Sequence, residues 1–421
     1  MIVSQKYVSL HVFLKTYNFM EINQLLSDGT SPRAEYDPAR MILMHEPGME
    51  LYDGVIHPSA ALYEHYFDVD AAAAEHRGYQ EMLRKNGIKV ITVKEILMNT
   101  DIAALRQMVE NVLIYDASST SFDLKEVDAS RKDVINRMTR ADLIRTLLFR
   151  PIVRLQETEI NTGMEAITEH NPLMNLYFMR DQTISTPKGQ ILCKMNSSQR
   201  EDEVDIVELC YKTLGVKPVY RIKGEDSFLE GGDYIPFGDM GLVGQGLRTT
   251  QAALDEMMDA DVIGHDTLVV VRDHWKNQYQ MHLDTYFNVI DKDLVTMCYN
   301  RYDAADESDE NFLTVDVYTR EPGTKQYHEV PELHGQSFKE FLANRGVHII
   351  RVQKSDADHY ANNYLTIDAR HIMSVAGQSK ELEEEYKKFG VNVEWVPLDN
   401  LIGGYGAAHC MTQVLRRVSA L

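Results

Sequence analysis

The sequence predicts an α/β fold, on a joint that recurs along the chain and on a composition able to fill a large core. The joint is a helical stretch that ends at a glycine and runs at once into an apolar, β-branched segment. It occurs as LRKNGIKVITV at Gly87, YKTLGVKPVYRI at Gly215, LANRGVHIIRV at Gly346 and YKKFGVNVEWVPL at Gly390. A looser fifth copy is MMDADVIGHDTLVVV around Gly264. Glycine takes the left-handed conformation that closes a helix, a basic residue ahead of it suits the helix dipole, and the Val/Ile run suits a buried strand. Five unevenly spaced joints specify the α/β class and are compatible with five related units.

The composition narrows the class further. The chain has 421 residues, 44% hydrophobic and 25% charged, as in a soluble globular protein of one large domain or two to three smaller ones. A formal net charge of -21 argues against a nucleic-acid binder, which needs a basic patch, and suits either a cationic substrate or plain solubility. The four cysteines, Cys193, Cys210, Cys298 and Cys410, form no C-x-x-C pair and are too few for a disulfide framework. The start lacks a signal-peptide pattern, and no uncharged apolar run reaches membrane-spanning length. The expectation is a cytoplasmic enzyme without a membrane partner.

In chain order, residues 1–34 read as an N-terminal extension of unassigned role. Residues 35–100 hold the first joint. In 101–165 the rhythm breaks: DIAALRQMVENVLIYD, KDVINRMT and TRADLIRTLLF read as helices with no strand between them, an all-helical insertion. Thr139 followed by Asp142 resembles a helix-start box, and Leu143, Ile144, Leu147 and Leu148 form one apolar face. Residues 166–421 carry the remaining joints, completing one catalytic domain with 35–100.

Four segments carry candidate chemistry. GGYGAAHCMTQ (403–413) places Cys410 in a glycine- and alanine-rich loop, where the backbone has freedom and the thiol has access. MHLDTYFN (281–288), read as a strand, puts His282 and Asp284 on one face; a core histidine beside a surface aspartate gives the same pattern. LEGGDYIP sets Glu230 before two glycines, where it could orient a histidine or end as a solvated turn charge. NLYFMRDQ (175–182) gathers Asn175, Phe178 and Asp181, as a site or as a polar loop. Zinc-helix, P-loop and G-x-S-x-G patterns are absent, and GLVGQGLR (241–248) lacks dinucleotide-loop spacing. Together the four segments make a kit for a guanidinium. Asp181 and Asp284 can hold its N–H fork, Cys410 can attack its carbon, His282 can move the protons, and Glu230 can orient His282.

These motifs in this order resemble arginine deiminases, of the guanidine-modifying superfamily with the pentein fold, from about Arg40 in RMILMHEPGMEL to Cys410. The resemblance implies an α/β propeller of five units about a pseudo-fivefold axis with an inserted helical region. It implies that Cys410 is the nucleophile, His282 the acid/base, Glu230 its orienting partner, and Asp181 and Asp284 the guanidinium carboxylates. Asn175, Arg200 in SSQRED and Arg248 in QGLR would hold the substrate's α-carboxylate and backbone, and Phe178 would pack on it. The implied reaction converts free L-arginine and water to L-citrulline and ammonia through a covalent thiouronium, with no metal or organic cofactor. A homo-oligomer is compatible with the sequence.

Two positions depart from the family pattern. Gln182 stands where the family usually has proline after Arg-Asp, as in related arginine dihydrolases that yield ornithine, carbon dioxide and ammonia. Tyr405 stands where the family usually has a gating arginine beside the substrate carboxylate. The alternatives kept open are therefore a dihydrolase, a deiminase of another guanidine such as agmatine, and a non-catalytic arginine binder.

Overall fold

The computed structural model describes Ile22, Leu26 and residues 32–160 and 162–419. The expected extension over 1–34 lies largely outside the described residues; Ile22 itself is buried in the core beside Met41 and Leu43.

All five joints form. Helices Val69–Lys85, Glu203–Thr213, Gln251–Asp259, Phe338–Asn344 and Lys380–Lys388 lead into strands Lys89–Thr92, Tyr220–Arg221, Thr267–Asp273, His348–Val352 and Asn392–Val396. Gly87, Gly215, Gly264, Gly346 and Gly390 all have φ between 67° and 81°. At Gly87, Gly346 and Gly390 a Cβ would meet nothing within 4 Å, so conformation and not space requires glycine there. The residue after each of these three caps back onto the helix: Ile88 N–H to Leu83, Val347 to Leu342 and Val391 to Tyr386.

Each of these strands runs parallel to the central strand of a mixed sheet, whose other neighbour is antiparallel. The central strands are Gly189–Leu192, Met240–Gln245, Leu294–Cys298 and His371–Val375, with antiparallel partners Thr183–Thr186, Tyr234–Phe237, Phe287–Asp291 and Leu365–Asp368. In the remaining sheet the centre is Ala39–Met44 and the antiparallel partner is Gln413–Arg417, from the opposite end of the described chain. Leu313–Arg320 and two short strands extend the sheet of Met240–Gln245. No helix among the described residues is long and apolar enough to cross a membrane.

The insertion corrects the sequence reading. Helices Ile102–Val112, Leu124–Arg137 and Arg140–Phe149 form, the last behind a Thr139/Asp142 capping box. They bury Leu105, Val109, Leu143 and Leu147 in one core with Ile96, Val207 and Cys210. The segment is not all-helical, however. Ile114–Asp116 pairs with Pro151–Glu157, which pairs with Met164–His170. Pro151 cannot continue a helix, and Ile152 and Val153 favour extended backbone. Arg154 bridges Glu169 across the strands at 2.8 Å.

Candidate active site

The functional segments share one structural address. Asp181, Glu230, His282 with Asp284, and Cys410 each lie within five residues ahead of the antiparallel strand of a different sheet. Eight of the ten residues singled out from sequence line one cavity: Asn175, Phe178, Asp181, Arg200, Arg248, His282, Tyr405 and Cys410. Glu230 and Asp284 are fully buried behind it.

Close packing explains the glycines. A Cβ on Gly404 would collide with the Tyr177 hydroxyl and sit 2.9 Å from the Phe178 ring; one on Gly406 would lie 2.7 Å from that ring and 3.0 Å from Cys410 Cβ. The loop therefore lies directly on the Tyr177–Phe178 pair, whose centroids are 4.0 Å apart. The left-handed residue here is Tyr405, at φ 66°. Contrary to the accessible thiol expected, Cys410 is only 3% exposed, because Phe178 and the loop cover it. Its Sγ accepts a bond from Asn363 Nδ2 at 3.0 Å and lies 3.5 Å from Asp284 Oδ2. Burial, then the Asp284 and Asp181 carboxylates, push the thiol pKa well above its ordinary value.

His282 and Asp284 are not on a strand. Residues Leu283–Tyr286 form a helical turn with His282 at its N-terminus, and the strand starts at Phe287. Asp233 Oδ1 accepts the Leu283 N–H at 2.9 Å, and Thr285 bonds back to the His282 carbonyl, so side chains capture the backbone groups a strand would have paired. His282 Nε2 lies 2.9 Å from Glu230 Oε2, and Nδ1 lies 3.7 Å from Asp181 Oδ1. Glu230 Oε1 is fixed by the Asn196 N–H at 2.9 Å. Gly232 lets the imidazole lie against the backbone, since a Cβ would be 2.7 Å from Nδ1. Burial alone would lower the His282 pKa, but Asp181, Glu230 and Asp233 outweigh it and raise it to about 9. Burial raises Glu230, and the His282 bond and charge bring it down to about 2. The histidine is thus an imidazolium at neutral pH.

The two aspartates are half satisfied. Asp181 Oδ2 accepts from Arg200 Nη1 at 2.7 Å and Asp284 Oδ2 pairs with His409 Nδ1 at 2.6 Å, while Oδ1 of each is buried with no hydrogen-bond partner. Arg200 is more committed than its expected substrate role requires: it also bonds Glu203 and the Asn175 carbonyl. Asn175 donates its amide to the Ala61 carbonyl at 2.9 Å. Arg248 is freer, with one bond to Gln278 at 3.0 Å and an unpartnered Nε. Tyr405 meets Tyr279 edge-on at 5.3 Å. Gln182 points away, to Glu203 and the Phe178 carbonyl. Asp181, Glu230 and His282 are close enough to share a metal ion, but the guanidinium on Asp181 opposes a second cation there.

Sequence reasoning missed four of the residues that build the site. Asn363 contacts the Cys410 sulfur, and Glu203 holds Arg200. His409 joins Asp284 to Glu35, with Nε2 3.4 Å from Glu35 Oε1. His409 adjoins Cys410 and could have been noticed; Asn363, in an ordinary loop, carried no signal beyond its place just ahead of a strand.

The comparisons with known proteins agree in direction. A family model described as Arginine deiminase matches residues 60–417. The arginine deiminase of Halobacterium salinarum is 26% identical over 490 aligned positions, covering 91% of this chain and 96% of its own length. That of Latilactobacillus sakei is 24% identical, covering 92% and 99%. Among solved structures, the product-bound N-terminal domain of ArgZ, an arginine dihydrolase of cyanobacteria, has a TM-score of 0.53 at 16% identity, covering 90% of this chain and 97% of its own. A DDAH from Pseudomonas aeruginosa complexed with citrulline has 0.51 at 14%, covering 89% and 98%. These structural likenesses speak to the fold.

Proposed function

The chain belongs to the arginine deiminase family, and from that premise we propose that it hydrolyses free L-arginine to L-citrulline and ammonia, with Cys410 as nucleophile. The observation that carries this reading is the pair of buried oxygens without a hydrogen-bond partner, Oδ1 of Asp181 and of Asp284, beside a cysteine and an imidazolium. Buried carboxylate oxygens left unbonded are costly, and a guanidinium satisfies both with charge-assisted bonds. Its positive charge also favours the thiolate that burial and the two carboxylates disfavour.

The chemistry follows from that geometry. The thiolate attacks Cζ and a C–S bond forms. His282 gives its proton to one terminal nitrogen, which leaves as ammonia, and a thiouronium remains on Cys410. Neutral His282, held by Glu230, then takes a proton from water. The resulting hydroxide adds to the same carbon, the C–S bond breaks with its electron pair returning to sulfur, and the added hydroxyl gives up its proton to solvent as the ureido group forms. Arg248 reads the α-carboxylate, Arg200 holds Asp181 and Asn175 in register, and Phe178 packs on the aliphatic stem. Tyr405 closes the mouth with Tyr279 in place of an arginine gate. The residues on either side of the mixed helical and stranded insertion make up one catalytic domain of five units about a pseudo-fivefold axis. Four free cysteines fit the reducing cytoplasm.

Product analysis after incubation with arginine tests the reading. Citrulline with equimolar ammonia is expected. Ornithine would select the dihydrolase alternative raised by Gln182, and no turnover would leave only a binder.

A further inference from the structure

Of the five sheets that contain a helix–glycine–strand joint, four carry an assigned group just ahead of their antiparallel strand. The remaining sheet, with strand Leu365–Asp368, carries Asn363 at the same address. Its side chain is fully buried and its bonds leave one orientation. Oδ1 accepts the N–H groups of Ala407 at 2.9 Å and Cys410 at 3.1 Å. Both are donors only, so the oxygen must face the loop and the amide nitrogen must face the other way. Nδ2 then lies 3.1 Å from the Asp284 carbonyl oxygen and 3.0 Å from Cys410 Sγ.

We propose that Asn363 is a further catalytic residue, donating an N–H to the Cys410 sulfur and stabilising it as thiolate both before attack and on departure. The inference rests on the assignment of Cys410 as nucleophile. The sulfur's other polar neighbour is the Asp284 carboxylate, which opposes negative charge on it. A hydrogen bond to an anion is roughly twice as strong as one to a neutral acceptor. The amide therefore favours the thiolate over the thiol, and its bond weakens as the sulfur's electron pair enters the C–S bond. When water has added and the C–S bond breaks, the pair returns to sulfur and the bond strengthens again, easing expulsion. The same side chain, through Oδ1, aims the loop that carries the sulfur.

Two variants separate donation from scaffolding. Asn363→Asp keeps the acceptor for both loop N–H groups and removes the donor; Asn363→Ala removes the donor without adding charge. The readouts are the pH dependence of Cys410 alkylation by iodoacetamide and the lifetime of the covalent intermediate by rapid-quench mass spectrometry. In both variants the alkylation midpoint should rise by about one pH unit, a tenfold loss of thiolate at fixed pH. The intermediate should persist longer, and kcat should carry the loss more than KM. An unchanged midpoint in folded Asn363→Ala overturns the proposal. Where neither variant folds, the unmutated enzyme with 15N-asparagine decides. One side-chain amide proton should shift in step with ultraviolet thiolate absorbance and stay still in Cys410→Ala; absence of such a resonance overturns the proposal. Cys410→Ala run in parallel separates the two levels. Turnover retained in that variant ends the Cys410 assignment itself, whereas loss of turnover there with native behaviour in Asn363→Ala ends only the Asn363 inference.

Discussion

At the residue scale, the site's own groups oppose a thiolate that a cationic substrate would favour. Cys410 sits in a buried, carboxylate-lined place that opposes a thiolate, and Oδ1 of Asp181 and of Asp284 is buried without a hydrogen-bond partner. Removing one of those charges should be severe. Asp181→Asn removes one of the two carboxylates that hold Arg200 and deprives the guanidinium of one side of its clamp; loss of one member of a buried pair is worth roughly 3–5 kcal/mol. Near-native kcat/KM in this variant would show that Asp181 does not hold the guanidinium. Arg248→Ala should raise KM for arginine strongly, on the order of 2–5 kcal/mol in binding, and change agmatine much less because agmatine has no carboxylate. Equal effects on the two substrates would remove Arg248 from carboxylate recognition. His282 gives a pH prediction. Because its folded pKa is raised from 6.5 to about 9, its contribution to stability is fully present below 6.5 and is lost as pH rises through about 9. Glu230, lowered from 4.5 to about 2, contributes above 4.5 and loses that contribution as pH falls through about 2. The Tm deficit of His282→Asn should be widest between pH 4.5 and 6.5 and narrow above about 9, and native kcat should fall over the same alkaline range. A deficit that does not narrow at high pH would contradict the imidazolium.

At the scale of elements, two kinds of glycine should behave oppositely. Gly390→Ala puts a Cβ into open space at φ 67°, so it should cost on the order of 1–2 kcal/mol of stability and leave kcat intact. Gly404→Ala drives a Cβ onto Tyr177 and Phe178, so it should displace the Cys410 loop and remove most activity with a smaller change in Tm. Thermal melts alongside steady-state kinetics check both; full activity in Gly404→Ala would mean that the loop has room the structure does not show. The same elements show what was legible in sequence. The helix–glycine–strand joints could be read because helix closure is local. The helical turn at His282 could not, because Asp233, far off in sequence, supplies its cap. The arm built on Pro151–Glu157 was missed because its strands carry no period-two pattern: Met164–His170 is exposed along its whole length. Cys410, His282, Glu230, Asp181 and Asp284 could be found as residue types with a shared chemistry. Asn363 acts only through where it is placed, and placement is a tertiary property.

At the scale of the whole molecule, an acidic chain closes on itself. The sheet of Ala39–Met44 is completed by Gln413–Arg417, and Arg417 Nη1 reaches the Asp37 carbonyl across 380 positions of sequence. On a ribosome adding roughly 5–20 residues per second, the first of these strands waits on the order of 20–80 s for its partner. Through that interval it has an open edge, the kind of surface that recruits foreign strands. The partner strand follows directly on Cys410, so the nascent chain acquires its nucleophile only as the edge becomes closable. A polypeptide released early would lack reactivity and the closing strand together, and would be a substrate for chaperones and proteases rather than a weakened enzyme.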